Sequence, residues 1–133
     1  MPKPTLPVLP DEDPWTDAEL DEVTSELDRE LARLRAELEH THRDLADLLR
    51  DGVEGAGNDQ ADVGSKGLER DAEMSLAANQ RELLYQTEQA LARLEDGSYG
   101  SCDTCGEPIG KLRLMAFPRA ISCMPCKQRE ERR

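Results

Sequence analysis

The chain has 133 residues, of which 35% are charged and only 3% are aromatic. So few large side chains cannot build a thick globular core, and the composition favours long solvated helices in one domain or one elongated unit. The formal charge of −12 argues against direct, sequence-specific binding to DNA, because phosphate would repel the chain. No apolar run approaches the roughly 20 residues that a membrane-spanning helix needs, so we expect no membrane contact.

The two ends of the chain differ in composition. Residues 1–15 contain five prolines, which predicts a disordered tail and not an export signal. Residues 101–133 hold seven Lys or Arg and four acids, whereas residues 1–100 hold ten Lys or Arg and 25 acids. We therefore expect a cytoplasmic protein with a long acidic part and a mildly basic end. In that compartment paired cysteines are more often metal ligands than disulfides.

A long helix is predicted to begin at Thr16, because Thr16 and Glu19 have the spacing of a capping box. Beyond it, apolar or threonine residues recur at alternating intervals of four and three: Leu20, Thr24, Leu27, Leu31, Leu34, Leu38, Thr41, Leu45 and Leu48. This heptad spacing predicts one coiled-coil helix over residues 16–50, roughly 50 Å long.

A second helix is predicted over residues 68–95, after a turn region at 51–67 that contains five glycines. Its apolar stripe is assigned to leucines with smaller fillers: Met74, Leu76, Ala77, Leu83, Leu84, Ala90, Leu91 and Leu94. Residues 16–96 are predicted to fold as an antiparallel coiled-coil hairpin, with an acidic tip near 51–67. Such a hairpin satisfies its own seam and predicts a monomer, while a homodimeric coiled coil is the alternative.

Four cysteines form two C-x2-C pairs separated by 17 residues: Cys102, Cys105, Cys123 and Cys126. Two such knuckles supply the four sulfurs of a closed, structural zinc site, which has no open position for catalysis. Two disulfides, a rubredoxin-like iron site and redox-active thiols are the alternatives. Residues 97–133 are therefore predicted to be a small zinc finger with a short C-terminal helix, and the fold class is mainly α. Its basic residues are assigned to contact with a protein partner.

The segment CxxCGEPIGKLRLMAFPRAISCMPCK resembles the zinc finger of the bacterial DksA/TraR family. The similarity includes Ile109-Gly110, Arg113-Leu114, Pro118 and Lys127, and the preceding helical hairpin also fits, over about residues 16–130. The resemblance implies a regulator that binds RNA polymerase directly. In such regulators the coiled coil enters the secondary channel, while the finger and C-terminal helix hold the outside of the channel.

The same resemblance assigns a role to two acids. The family's tip pattern D-x-x-D-x-A matches Asp59 and Asp62, with Gly64 in place of the alanine. It implies that both carboxylates approach the polymerase active centre, where negative charge acts at short range on magnesium or basic residues. Turn chemistry alone is the alternative for this pair, since Asn and Asp favour loops and helix starts.

Some members of the family respond to the nucleotide ppGpp through basic residues near the junction of finger and hairpin. Lys127 matches one of these positions, whereas Phe117 and Gln86 stand where basic residues are expected. Because a phosphate needs compensating charge, the resemblance implies at most a weak nucleotide contact, or a polymerase contact, at Lys127.

No set of residues in the sequence predicts an enzyme. His40 and His42 have no matched cysteine or carboxylate in the sequence pattern and are assigned to the solvated flank of the first helix. Two other functions compete with polymerase regulation: a zinc-dependent redox or metal sensor that uses the four cysteines as switchable ligands, and a coiled-coil adaptor.

Overall fold

The computed structural model describes residues 6–54 and 60–132, and for residues 51–54 and 60–63 it describes the helical backbone only. Four helices follow in order: α1 (Asp17–Glu54), α2 (Gln60–Asp96), α3 (Lys111–Ala116) and α4 (Met124–Glu131). In these residues the β structure is one isolated antiparallel bridge between Ser101 and Pro108. The predicted class is confirmed: a helical hairpin is followed by a four-cysteine finger and a short C-terminal helix.

The chain divides into two compact units. The first, here called the finger unit, comprises Met1–Glu30 and Gln86–Arg133. The second, called the helical unit, is Leu31–Tyr85. A search of the described helices for a bilayer-crossing segment of sufficient length and apolarity finds none.

The start of α1 has the predicted capping box. The backbone N–H of Glu19 donates to the Thr16 hydroxyl at 3.1 Å, and the backbone N–H of Thr16 donates to the Glu19 carboxylate at 3.0 Å. The predicted heptad seam of α1 is also confirmed, because its members are buried or half-buried from Leu20 to Leu48. The hydroxyl of Thr41, buried within the seam, donates to the Glu37 carbonyl one turn earlier.

The buried face of α2 differs from the predicted leucine stripe. Buried or half-buried residues on this helix recur at intervals of four and three: Glu73, Ala77, Gln80, Leu84, Thr87, Leu91 and Leu94. Met74 and Leu76, which were assigned to the stripe, are exposed. The other predicted members are buried or half-buried: Ala77, Leu83, Leu84, Ala90, Leu91 and Leu94. The prediction followed hydrophobicity and therefore omitted the seam positions that hold glutamate, glutamine or threonine.

Helix α2 is also longer than predicted, since it begins at Gln60 instead of near Leu68, and α1 continues to Glu54. Gly64 and Gly67, which were assigned to a turn, lie inside the helix, and a Cβ built on either would meet nothing within 4 Å. Glycine weakens a helix by about 1 kcal/mol relative to alanine but does not by itself end one. Of the predicted tip, residues 55–59 lie outside the described residues.

The core of the finger unit gathers residues from the base of the hairpin, the finger and the N-terminal segment. Val23 and Leu27 of α1, Tyr99 and Leu114 are almost completely buried there. The Tyr99 hydroxyl donates to the Pro118 carbonyl at 2.8 Å. Burial, and then the negative charge of Glu26, raises the pKa of Tyr99, so this hydroxyl stays protonated.

Residues 6–16, here called the strap, were predicted to belong to a disordered tail. In the structure they pack against the finger, and the Leu6 side chain is only 4% exposed. A Cβ at Gly110, whose φ of +112° suits glycine, would lie 3.1 Å from Leu9 Cδ1. The prediction rested on proline content, but Pro7 and Pro10 are separated by apolar residues, and Leu6 directly before Pro7 still enters the core. Residues 1–5 lie outside the described residues.

Candidate metal centre

The four predicted ligand sulfurs come together in the finger. The Sγ atoms of Cys102, Cys105, Cys123 and Cys126 all lie within 4.8 Å of one another. Cys105 Sγ and Cys123 Sγ are 3.7 Å apart, and none of the four cysteines forms a disulfide. Three of the four side chains are buried, and Cys105 is exposed.

Backbone hydrogen bonds shape the first knuckle. The N–H of Cys102 donates to the Glu107 carbonyl at 2.8 Å, and the N–H of Gly106 donates to the Cys102 carbonyl at 3.0 Å. Gly106 has a φ of +77°, a left-handed conformation that costs glycine little. The first C-x2-C pair is therefore followed by a tight turn.

The second knuckle is the start of α4 and is tied to the first. Cys123 is the N-cap of α4, with a proline in the first turn of that helix. The N–H of Asp103, in the first knuckle, donates to the carbonyl of Ile121, just before the second knuckle, at 2.9 Å. A backbone hydrogen bond therefore joins the two knuckle segments. Arg113 Nε donates to the Ser122 carbonyl at 3.2 Å and ties α3 to the same turn.

The cysteine thiols have divergent acidities because they share hydrogen bonds. Burial acts to raise the pKa of Cys102, but backbone N–H groups of Cys105, Cys123 and Thr104 outweigh it and lower that pKa to about 6. Donation from the Cys126 thiol to Cys123, together with burial, raises the pKa of Cys126 to about 12. A divalent metal removes this competition for protons, because it binds every sulfur as a thiolate.

The cluster fits zinc. Four sulfurs at about 2.3 Å from a central Zn²⁺ would form a tetrahedron with edges of about 3.8 Å. The 3.7 Å between Cys105 Sγ and Cys123 Sγ matches such an edge, and the other separations lie below 4.8 Å. All four positions of a tetrahedral ion are filled by protein, so zinc here supports the fold and has no site for a substrate.

The strap holds the finger through charged groups that the sequence analysis did not identify. One Glu12 oxygen accepts hydrogen bonds from the backbone N–H groups of Leu9 and Lys111, at 2.9 and 2.8 Å. The other accepts from the N–H of Leu112 at 3.0 Å. Helix α3 has no side-chain cap from its own N-cap residue, Gly110. Glu12, nearly 100 positions earlier in the chain, supplies the missing acceptor.

Lys111 links the strap to α1. Its Nζ lies 2.8 Å from a carboxylate oxygen of Glu19, and this ion pair is mostly shielded from solvent. The ammonium also lies 5.9 Å from the centre of the Trp15 ring. The hydrogen bond from Lys111 is the main cause of a lowered pKa at Glu19. Burial acts to raise the pKa of Glu12, but the three backbone donors and Lys111 outweigh it and lower that pKa.

The other predicted site residues are Asp59, Asp62 and Lys127. Asp59 lies outside the described residues, and Asp62 is the third residue of α2. Lys127 is exposed on α4, directly after Cys126, and the Phe117 ring is 63% exposed after α3. The roles assigned to Asp59, Asp62 and Lys127 therefore stay predictions.

The sequence contained two signals for the contacts that were missed. Lys111 begins a helix after a glycine, which has no side chain to accept hydrogen bonds from the first N–H groups of that helix. An acceptor from elsewhere is therefore needed, but nothing in the sequence points to Glu12 in particular. Arg129 follows Cys126 by three positions, a spacing that places two helical side chains on one face. Its Nη2 lies 3.0 Å from Cys126 Sγ.

Comparison with known proteins gives matches in both sequence and structure. Residues 97–132 match the prokaryotic dksA/traR C4-type zinc finger family. The RNA polymerase-binding transcription factor DksA of Caulobacter vibrioides is 45% identical over 75 residues, which are 56% of this chain and 53% of that protein. The factor of the same name from Haemophilus influenzae is 38% identical over 69 residues, which are 52% of this chain and 48% of that protein. The chain thus spans about half the length of these curated relatives.

A structural match extends over most of the chain. The transcription factor DksA2 from Pseudomonas aeruginosa aligns with a TM-score of 0.71 and 34% sequence identity, covering 87% of this chain and 85% of that one. The match includes the helical hairpin as well as the finger, because the finger alone is far shorter than the aligned length. The chain, with its helical hairpin and its structural four-cysteine zinc finger, therefore belongs to the DksA/TraR family.

Proposed function

We propose that this chain binds RNA polymerase directly and regulates transcription by inserting the end of its α1–α2 hairpin into the secondary channel of the enzyme. The observation that carries the proposal is the match to DksA2 over 87% of the chain. The names of the curated relatives, RNA polymerase-binding transcription factors, support it. The proposed role is regulatory, and the chain itself catalyses no reaction.

The acids at the joint of the two helices would act inside the channel. In the sequence, Asp59 directly precedes Gln60, at which α2 begins, and Asp62 follows two positions later. A carboxylate brought within about 4 Å of a catalytic cation interacts with it strongly only where water is excluded. A narrow channel provides that condition, and a pair of helices is thin enough to enter it.

The finger would provide contact with the outer surface of the polymerase. Seven basic residues against four acids give residues 101–133 the opposite charge to the rest of the chain. The described apolar residues with the largest exposure include Leu112 and Phe117, both in the finger. A basic surface with exposed apolar side chains suits a protein partner, whereas the chain's strongly acidic remainder disfavours nucleic acid.

The proposal is tested by removing the charge of the two acids. The double variant Asp59→Asn, Asp62→Asn keeps the size of both side chains and should bind polymerase with unchanged affinity. It should lose most of its effect on transcription from sensitive promoters in a purified system. The matched control is Glu69→Gln, Asp71→Asn, which neutralises two exposed acids further along α2. If both double variants regulate like the original chain, the tip acids serve only as turn residues.

Binding itself is tested by co-purification from bacterial extract. Polymerase subunits retained by the immobilised chain support the proposal. Their absence, with other proteins retained, favours the adaptor alternative. The same preparation gives the oligomeric state by light scattering, for which we expect a monomer.

The nucleotide ppGpp is proposed to bind weakly, if at all. Lys127 offers one exposed charge, while Phe117 presents a neutral ring at a position where the family resemblance implies a base. A titration of the purified chain with polymerase should show little change in affinity on adding ppGpp. Tight, salt-sensitive binding that is lost in Lys127→Met would contradict this expectation.

A further inference from the structure

The zinc cluster has a charged neighbour that is not one of its ligands. Arg129 lies on α4, one turn after Cys126, and its Nη2 donates to Cys126 Sγ at 3.0 Å. Four thiolates around one Zn²⁺ leave two uncompensated negative charges on the cluster. A guanidinium in direct contact with one sulfur therefore meets a centre of opposite sign.

The guanidinium of Arg129 donates a hydrogen bond to the sulfur of Cys126. In the part of the chain that the structure describes, Arg129 forms no ion pair with a carboxylate within 4.0 Å, although Glu130 and Glu131 follow it directly. The Cys126 side chain is buried, so its sulfur has little access to water as an alternative donor. A donor supplied by the protein thus matters more at this sulfur than at exposed Cys105.

We propose that Arg129 is a positioning residue of the metal centre, which sets how tightly the finger retains zinc by donating to the sulfur of Cys126. The contact withdraws electron density from the sulfur and offsets part of the negative charge of the cluster. It also fixes the orientation of the Cys126 side chain relative to α4. Hydrogen-bond partners of metal ligands commonly change metal affinity by 10- to 100-fold. Because Arg129 is exposed to solvent, we expect its effect to lie at the low end of that range.

A purely structural role for Arg129 makes a different prediction. A basic residue in the last turn of a helix also interacts favourably with the helix dipole. Arg132, the C-cap of α4, shares that position but has no hydrogen bond to a sulfur in the described structure. Removing Arg132 would therefore reproduce the effect of removing Arg129 only if the helix end, and not the sulfur contact, is what matters.

The test compares zinc affinity in the full chain by competition with a chromophoric chelator. Arg129→Met should raise the zinc dissociation constant about tenfold. Arg132→Met should change it less than twofold, and Arg129→Lys, which keeps a charged donor, should fall between them. Equal affinities for Arg129→Met and the original chain, or equal losses in Arg129→Met and Arg132→Met, would overturn the proposal.

A second readout is independent of stability. With Co²⁺ in place of zinc, the sulfur-to-cobalt charge-transfer band should move to lower energy in Arg129→Met, because the sulfur becomes a stronger electron donor. The band should not move in Arg132→Met. If Arg129→Met holds no metal, the spectrum of Arg129→Lys carries the comparison, and a band identical to that of the original chain would overturn the proposal.

Discussion

The finger unit and the helical unit are stabilised by different means. The finger unit has large buried side chains such as Tyr99 and Leu114, a four-sulfur metal centre and a strap fixed by Glu12. The helical unit has a buried seam that includes Thr41, Ala77 and Gln80 as well as Leu34. We infer that each residue of the finger unit contributes more to the free energy of unfolding than each residue in the seam of the helical unit.

The largest expected effect separates the two units directly. Removing zinc with a chelator under reducing conditions should abolish the structure of the finger, since structural zinc contributes about 10–16 kcal/mol in isolated zinc fingers. Hydrogen exchange should show lost protection for amides between residues 99 and 126. Amides between residues 31 and 50 should keep most of theirs. Equal loss throughout the chain would show that the two units do not differ in this way.

A matched pair of leucines measures packing in each unit. Leu114→Ala, at a side chain with 0% exposure, should lower the free energy of unfolding by about 2–5 kcal/mol. Leu76→Ala, at a side chain that is 44% exposed in the helical unit, should change it by about 0.5 kcal/mol or less. Urea denaturation of both variants with zinc bound gives the comparison. Similar losses for the two would mean that α2 packs through Leu76 after all.

Gln80 provides a test of the polar seam. Its side chain is 7% exposed, and its Oε1 accepts no hydrogen bond from the described residues. Gln80→Leu should therefore stabilise the chain by about 1–2 kcal/mol, by removing a desolvated polar group and adding apolar contact. Asn79→Leu, at the exposed neighbouring position, is the control and should be near neutral. A destabilised Gln80→Leu would indicate that this glutamine sets the pairing of the helices.

The smallest effect concerns the strap and depends on pH. Glu12→Gln should destabilise the finger unit at pH 7 by about 1 kcal/mol, a low value for bonds to a charged group because Glu12 is accessible to solvent. The pKa of Glu12 is lowered from the usual 4.5, so the charged carboxylate stabilises the fold above pH 4.5, and that stabilisation is lost as the pH falls through the lowered value. The difference between the original chain and Glu12→Gln should accordingly shrink on acidification. A difference that stays constant down to pH 3 would exclude a role for this charge.

Much of the fold could be predicted from the sequence because its signals are local. The capping box of Thr16 and Glu19, the leucine heptads of α1 and the two C-x2-C knuckles each need only neighbouring residues to be identified. Gln80 and Thr87 of the α2 seam were missed because they are buried by their position in the seam and not by their hydrophobicity. The strap was missed because the contact of Glu12 with α3 joins residues about 100 positions apart.

The metal ligands of the candidate site could be predicted from the sequence, but the contacts around them could not. The four cysteines were identified by spacing alone, and the geometry of their sulfurs agrees with a tetrahedral metal. The contact between Arg129 and Cys126 depends on which of several basic side chains on α4 turns toward the sulfur, and spacing alone does not decide that. Asp59 and Asp62 were assigned through resemblance, and their proposed role depends on a partner.

The most direct test of the central claim is a crosslink from the joint of the hairpin. A photoreactive amino acid placed at residue 62 should, in the complex with RNA polymerase, crosslink to polymerase segments that line the secondary channel near the catalytic magnesium. The same group at residue 85, an exposed position of α2, should give a different set of crosslinks. Retained binding with no crosslink from residue 62 inside the channel would contradict the insertion of this hairpin into the enzyme.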